Sequence, residues 1–174
     1  MTDSRDQHRV VIIGGGFAGL TAAARLGGTR AEVTLIDRCN AHVFQPLLYQ
    51  VATGGLSPGN ISAPLRAVLS KQRNVRCLHA EVTGIDPAAR RVDTTAGPFA
   101  YDELIVAAGA EESYFGNEHW RRHAAGLKTL TDAIHMRSLI LSRFEQAEWC
   151  DDSERRHALM TVAVIGGGPT GVEL

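Results

Sequence analysis

The sequence has few of the features that mark disulfide-rich, nucleic-acid-binding or membrane-spanning proteins. Its 174 residues include only three cysteines, and these are too isolated to define a disulfide framework or a metal site. The net charge of −1 gives no electrostatic case for nucleic acid or an anionic membrane. No run approaches the roughly 18 to 20 apolar residues of a membrane-spanning helix, and the polar start MTDSRDQHR lacks the apolar core of a signal peptide. We therefore expect an ordinary globular protein of a reducing cytoplasm, with Cys39, Cys77 and Cys150 as buried or incidental thiols.

The chain is organised around residues 9–19, which read RVVIIGGGFAG. Four apolar residues run into a G-x-G-x-x-G pattern formed by Gly14, Gly16 and Gly19, and a helix-compatible run follows. A dinucleotide pyrophosphate needs this arrangement: the first glycine allows a sharp turn, the second lets the backbone approach the phosphates, and the third lets helix and strand pack closely. The helix N-terminus then offers free N–H groups and a partial positive charge to the anion.

A single glycine pattern is weak evidence unless a strand precedes it, a helix follows it and an acid lies about 20 residues further on. All three are present, because a second apolar strand, AEVTLID, ends at Asp37. A carboxylate at that place would hydrogen-bond ribose hydroxyls. The alternative, a solvated residue at the end of a strand, is disfavoured by the preceding glycines.

The rest of the first 110 residues predicts an α/β domain, a Rossmann-like parallel sheet with an inserted antiparallel β-meander. Gly109 would end the last buried strand. The predicted elements are helix 17–26, strand 31–37, helix 62–70 capped by Ser62, strand 74–80, meander segments 81–85, 90–95 and 99–103, and buried strand 104–108.

The connection over residues 38–59 is long and has two interpretations, and the sequence favours neither over the other. Its aromatic and amide side chains suit a flat cofactor ring, or else its apolar residues merely pack a short helix onto the core. The residues of the first interpretation are His42, Phe44, Gln45, Pro46, Tyr49 and Gln50, and those of the second are Phe44, Leu47, Leu48 and Tyr49.

After residue 110 the sequence predicts an irregular, solvated stretch to residue 127 that contains a basic cluster, Arg121, Arg122 and His123. A long helix over residues 131–150 should pack a stripe from Ala133 to Ala147 into the core, and residues 151–157 should form a charged connection.

Residues 161–165 are a second β-branched stretch, predicted as a buried strand, and they lead into a second G-x-G-x-x-G pattern. Two such motifs indicate two dinucleotide sites. We expect a first dinucleotide-binding domain over 1–110, a connecting region over 111–160 and the truncated start of a second dinucleotide-binding domain over 161–174, in a fragment of a longer protein. Residues 161–174 should then lack their normal sheet partners.

At this point the sequence resembles the type II NADH:quinone oxidoreductases, non-proton-pumping members of the flavoprotein superfamily with two dinucleotide-binding domains. The resemblance covers nearly the whole chain, and HVFQPLLYQVATG, YDELIVAAGA, GLKTLTDA and VIGGGPTGVEL carry its more specific parts. Disulfide reductases of the same superfamily carry a C-x-x-x-x-C pair soon after the second strand, where this chain has only Cys39.

The resemblance implies that 1–110 is an FAD-binding domain, with FAD at the first motif, and that 161–174 begins an NAD(P)H-binding domain, with NADH at the second. It also implies that Glu173 supports hydride or proton transfer near the flavin and nicotinamide, although an acid in a first helical turn is the plainer interpretation. Ala108 stands where the superfamily commonly has threonine, which removes one hydroxyl contact. The implied FAD residues are Gly14, Gly16, Phe17, Ala18, Gly19, Asp37, Arg38, Gln45, Pro46, Leu47, Val82, Ala108 and Gly109. The implied NADH residues are Gly166, Gly168, Thr170 and Gly171.

The resemblance therefore implies an enzyme that transfers a hydride from NADH to FAD and two electrons onward to a quinone. Two alternatives stay open: a flavin-binding fragment without turnover, and a related reductase with a protein acceptor such as a ferredoxin. A homodimer, a cytoplasmic location, and peripheral membrane association through a part beyond residue 174 are further expectations of the resemblance.

Overall fold

A computed structural model describes residues 7–174, and the first six residues of the polar start, for which no signal peptide is expected, lie outside this part. The elements in chain order are β1 Arg9–Ile13, α1 Phe17–Leu26, β2 Glu32–Asp37, β3 Ala41–Val43, α2 Leu48–Ala52, α3 Pro58–Ile61, β4 Ser62–Pro64, α4 Leu65–Val68, β5 Val75–His79, β6 Val82–Asp86, β7 Arg91–Thr94, β8 Gly97–Ala100, β9 Glu103–Val106, α5 Leu130–Glu148, α6 Ser153–Met160 and α7 Pro169–Glu173. Short 3-10 turns cover Gln45–Leu47 and Glu118–Arg122.

The described chain forms two compact units. The first unit contains the residues up to Val43 together with Ser62–Ala110, and the second contains Phe44–Ile61 together with Glu111–Leu174. No helix among residues 7–174 is long and apolar enough to cross a membrane.

A four-stranded parallel sheet in the order β5-β2-β1-β9 forms the centre of the first unit. Parallel strands covered on both faces read as continuous apolar runs, which is why VVII and VTLI were recognisable. One core cluster contains Ile12 and Leu35, both 0% exposed, packed with Ala23 of α1 and Leu65 of α4. The opposite core contains Val11, Ile13 and Ile36 with meander residues. The predicted Rossmann-like sheet is confirmed.

An ion pair between Arg9 and Asp102 joins β1 and β9 at the amino ends of these strands. The Arg9 guanidinium donates to Asp102 through Nε and Nη2 at 3.2 and 3.0 Å, and the Arg9 backbone N–H donates to the same carboxylate at 2.8 Å. These hydrogen bonds hold the pKa of Asp102 well below its usual range. The pair joins the first residue of β1 to the residue before β9, so it fixes where the last parallel strand begins.

The inserted meander is confirmed, with β6, β7 and β8 paired antiparallel. Its third segment lies earlier than predicted, over Gly97–Ala100 instead of 99–103, because the turn between β7 and β8 falls at residues 95–96 and Gly97 already pairs with Thr94. The predicted strand over 104–108 is observed at Glu103–Val106.

The predicted helix over residues 62–70 is wrong at its start. Ser62–Pro64 form β4, which pairs antiparallel with β3, and only Leu65–Val68 are helical. Pro64 has ψ 129°, an extended conformation, and caps the short helix instead of lying inside its first turn. A residue before proline is biased to extended conformations, which favours the strand at Ala63.

The second unit is helical, and its main element is α5. Thr129 caps this helix with a complete capping box: its side chain accepts from the Asp132 N–H, and the Asp132 carboxylate accepts from the Thr129 N–H at 2.8 Å. Ala133 and Ala147 are buried as the predicted stripe requires, but Phe144 is 48% exposed. The stripe is therefore buried at Ala133 and Ala147, partly buried at Met136 and Ile140, and about half exposed at Phe144.

One expectation for this unit needs correction and another is confirmed. Residues 151–157 are not a charged connection, because Asp152 caps α6 by accepting from the N–H groups of Glu154 and Arg155. Arg121, Arg122 and His123 are exposed, as predicted for a solvated stretch. Arg121 also pairs with Glu112 and Glu118 and lies 4.8 Å from the centre of the Tyr114 ring.

The prediction of a buried strand over residues 161–165 is wrong, because these residues are exposed and pair with no strand of residues 7–174. Val162 and Ile165 are 62% and 83% exposed. Residues 161–165 therefore lack sheet partners, as predicted. The helix that follows the second glycine motif, α7, is present.

Candidate functional site: a glycine-rich loop at a helix start

The first glycine motif forms a tight turn between β1 and α1. Gly14 has φ +98°, which an L side chain rarely adopts, and a Cβ there would collide with the Ala107 carbonyl. A Cβ on Gly19 would collide with the Gly14 carbonyl oxygen and lie 3.3 Å from Ile12 Cγ2. These two glycines are therefore required by the packing of the loop itself, as the spacing predicted.

Gly16 is different, because a Cβ built on it would meet nothing within 4 Å. Its φ of −69° is open to any residue, so neither strain nor packing within the chain requires glycine there. Gly16, Phe17 and Ala18 are exposed at the start of α1, whose first backbone bond runs from the Leu20 N–H to the Gly16 carbonyl. A helix start presents unpaired N–H groups and a partial positive charge, so this open cradle fits a dinucleotide pyrophosphate.

The Asp37 carboxylate lies at the end of β2 and holds the backbone around the loop. Oδ2 accepts from the Gly15 N–H at 2.7 Å, and Oδ1 accepts from the N–H groups of Cys39 and Asn40 at 2.7 and 2.8 Å. A carboxylate has about four lone-pair sites, so about one remains for a ribose hydroxyl. The structural role of Asp37 was not foreseen from the sequence.

The remaining predicted FAD residues of the first unit lie at or beside the carboxyl ends of its parallel strands, or at the start of β6. Arg38 is exposed just after β2, and its carbonyl oxygen lies 2.8 Å from His79 Nε2. Ala108 and Gly109 are exposed just after β9, and Gly109 has φ +76°. Ligands of open α/β sheets bind outside the carboxyl ends of the strands, so this is the expected edge.

The other predicted residues belong to the second unit. Gln45 and Pro46 are exposed on the 3-10 turn, with the Gln45 amide 3.4 Å from the Lys128 carbonyl. Leu48, Val51 and Ala52 are buried, so the short helix of the second interpretation is present in α2. Leu47 ends the 3-10 turn and is half-buried.

The second glycine motif repeats the local geometry of the first. Gly166 has φ +109°, a Cβ on Gly171 would collide with the Gly166 carbonyl, and a Cβ on Gly168 would meet nothing within 4 Å. Thr170 and Glu173 lie exposed on α7. Corresponding glycines of the two motifs therefore share their conformations, except that a Cβ on Gly166 would meet nothing within 4 Å, whereas one on Gly14 would collide with Ala107.

One contact of the first loop was missed from the sequence. His42 Nδ1 lies 3.2 Å from the Gly15 carbonyl oxygen, and its ring meets Phe17 edge to face with 5.1 Å between centroids. Sequence reasoning placed His42 in the connection near a cofactor ring, and no local signal indicated the β3–β4 pairing that brings it to the loop.

The fold and the glycine loop define a dinucleotide-binding α/β protein, and comparison with known proteins gives its family. Residues 8–174 match the pyridine nucleotide-disulphide oxidoreductase family. The chain belongs to that family.

Within it, the chain is similar to type II NADH:quinone oxidoreductases, which confirms the resemblance. It is 53% identical to the type II NADH:quinone oxidoreductase Ndh of Mycobacterium tuberculosis, over 97% of this chain and 37% of the relative. It is 32% identical to the type II NADH:quinone oxidoreductase of Staphylococcus aureus, over 98% of this chain and 42% of the relative. The solved structure of NDH2 from Plasmodium falciparum in complex with NADH matches 95% of this chain and 35% of its own, with a TM-score of 0.88 and 28% identity. The chain thus spans about two fifths of these curated relatives.

Proposed function

We propose that this chain is the FAD-binding part of an NADH:quinone oxidoreductase that transfers a hydride from NADH to FAD and two electrons onward to a quinone. The single observation that supports it most is the open cradle at Gly16, where glycine is needed by neither backbone strain nor packing. The similarity to type II NADH:quinone oxidoreductases supplies the choice of cofactor and substrates.

The residues of the first unit would hold FAD through its phosphates and ribose. The N–H groups at the start of α1 would bind the pyrophosphate, with Gly16 leaving room for its oxygens. The remaining lone pair of Asp37 would accept a ribose hydroxyl, and the Val82 backbone would meet the adenine. FAD supplies a hydride acceptor that can release electrons to a quinone, so the protein's task is binding, orientation and exclusion of water.

The residues of the second motif would bind NADH in the same way. Gly168 at the start of α7 leaves the same open space as Gly16. Glu173, exposed at the end of α7, would support hydride or proton transfer at the nicotinamide. Gln45, Pro46 and Leu47 would lie near the flavin, and Gly109 would close over it.

An anaerobic titration of the FAD-loaded chain with NADH tests the proposal, with the flavin absorbance as the readout. Bleaching of the flavin would support a working nicotinamide site in these 174 residues. Bound flavin that stays oxidised would support the alternative of a flavin-binding piece without turnover, which the exposed Val162 and Ile165 favour. Failure to bind FAD at all would refute the proposal.

The acceptor is tested separately in a chain that oxidises NADH. Reduction of soluble quinone analogues, without reduction of iron–sulfur proteins such as ferredoxin, is the expected result. The opposite preference would favour a reductase with a protein acceptor.

A further inference from the structure

We propose that His42 is a positioning residue, which holds the glycine-rich loop in the conformation that receives the pyrophosphate of FAD. The inference rests on the proposed function and goes beyond it, since it assigns a role to a side chain outside the glycine motif. It comes from the Nδ1 to Gly15 oxygen distance of 3.2 Å.

The loop needs such a restraint because of its composition. Gly14, Gly15 and Gly16 are consecutive, and glycine backbones have access to more conformations than any other residue. When a ligand has to order a flexible loop, the entropy cost of that ordering lowers the binding affinity. A loop that is already held in its binding conformation avoids this cost. Contacts that fix these glycines in the unliganded chain therefore favour binding.

Gly15 is held on both of its polar groups. Its N–H donates to Asp37 Oδ2 at 2.7 Å, and its carbonyl oxygen faces His42 Nδ1. Because a carbonyl oxygen only accepts, the second bond requires a proton on Nδ1. Gly15 itself is buried, and a Cβ on it would collide with Leu65 Cδ1, so the packing leaves these two side chains as its polar partners.

The carbonyl bond matters most for an anionic ligand. With its oxygen held by His42, Gly15 cannot rotate that carbonyl toward the start of α1, where the partial negative charge would face the phosphates. The Gly16 N–H belongs to the same planar peptide unit as the Gly15 carbonyl, so its direction is fixed by the same bond. His42 thus helps to aim the donors of the cradle without touching the ligand.

His42 is itself well placed by its surroundings. It lies in the middle of β3, opposite Ala63 of β4. Its ring packs edge to face on Phe17, the first residue of α1, with an interplanar angle of 89°. The β3–β4 pairing therefore holds His42 beside the glycine-rich loop. The contact with the Phe17 ring fixes the orientation in which Nδ1 points at the Gly15 carbonyl oxygen.

The ring contact and the hydrogen bond can be separated by substitution. His42→Phe keeps an aromatic ring beside Phe17 and removes the donor. His42→Asn removes the ring but retains an amide N–H₂ close to the position of Nδ1. His42→Ala removes both. His8→Phe is the matched control, because the His8 side chain of the same unit is 57% exposed and lies outside the loop.

The experiment measures FAD dissociation constants by fluorescence titration of the flavin-free full chain, alongside its melting temperature without FAD. We expect His42→Phe to weaken FAD binding by about 5- to 10-fold, the loss of one neutral hydrogen bond, and His42→Asn to stay within about 3-fold of wild type. His8→Phe should bind as wild type does. If His42→Phe does not fold, the comparison of His42→Asn with His42→Ala tests the same bond.

Equal FAD affinity in wild type and His42→Phe would overturn the inference while leaving the proposed function intact. Binding by His42→Asn as weak as that of His42→Ala would also overturn it, since the donor would then have no role. A wild-type chain that binds no FAD would overturn both.

Discussion

Gly16 and Gly19 belong to one motif, yet the structure predicts that alanine at the two positions will have different effects. At Gly19 a Cβ collides with the Gly14 carbonyl and crowds Ile12 Cγ2 at 3.3 Å. Overpacking of this kind costs about 1–3 kcal/mol, against which alanine's higher helix propensity returns at most about 1 kcal/mol. Gly19→Ala should therefore lower the free energy of unfolding of the flavin-free chain.

At Gly16 the added methyl meets no protein atom within 4 Å, and its φ of −69° suits alanine. Gly16→Ala should change the free energy of unfolding by less than about 1 kcal/mol, the difference between glycine and alanine at a helix N-cap. The methyl would occupy the cradle, so FAD affinity should fall about tenfold or more.

Urea denaturation without FAD and FAD titration measure the two effects on the same samples. Gly59→Ala is a control, because its Cβ would lie 3.9 Å from Ser57 Oγ and outside both glycine motifs. The reasoning is refuted if Gly16→Ala binds FAD as tightly as wild type, or if Gly19→Ala is as stable as wild type.

Three further predictions concern charge and order. Asp102→Asn should lower the free energy of unfolding at pH 7. The folded chain holds the pKa of Asp102 below its unfolded value near 3.9. The stability that the Asp102 carboxylate contributes is therefore present above that value and is lost as pH falls through the folded pKa. The gap between wild-type and variant urea midpoints should therefore shrink below about pH 4, and a constant gap would contradict the assignment. Asp37→Asn should lower the stability of the flavin-free chain by about 1.5–3 kcal/mol, since it replaces a carboxylate bound by three backbone N–H groups; urea unfolding without FAD checks this, and an unchanged midpoint would leave only a ligand-binding role. Amides of residues 161–168 should show little hydrogen-exchange protection, and strong protection would show pairing that the structure lacks.

The β1–loop–α1 unit could be predicted from sequence because its determinants are local. The apolar run, the glycine spacing and the following helix lie within 18 residues of one another. The acid at the end of the next strand confirmed the pattern. The structure adds what spacing cannot, namely that Gly14 and Gly19 are required by packing while Gly16 faces open space.

The errors arose where distant pairing or a single side chain decides the local conformation. Ser62–Pro64 look like a helix cap and first turn, but they pair with Ala41–Val43 some 20 residues earlier. The charged run after Cys150 looked like a connection, yet Asp152 caps it as a helix. In both cases the sequence pattern was compatible with two structures: a distant strand pairing selected one in the first case, and a local side-chain cap did so in the second.

Asp37 shows why the chemistry of a site is harder to infer than its position. The motif places an acid at the end of β2 for a ribose, and the structure shows that three backbone donors already occupy most of its carboxylate. One of them is the Gly15 N–H, and the Gly15 carbonyl oxygen faces His42 of β3, a strand whose pairing with β4 the sequence did not reveal. An acid that binds a hydroxyl and an acid that holds the loop have the same sequence signal. The same side chain therefore links loop order to ligand binding, and loss of FAD affinity in an Asp37 variant cannot be attributed to the ribose contact unless the stability of the flavin-free chain is measured beside it.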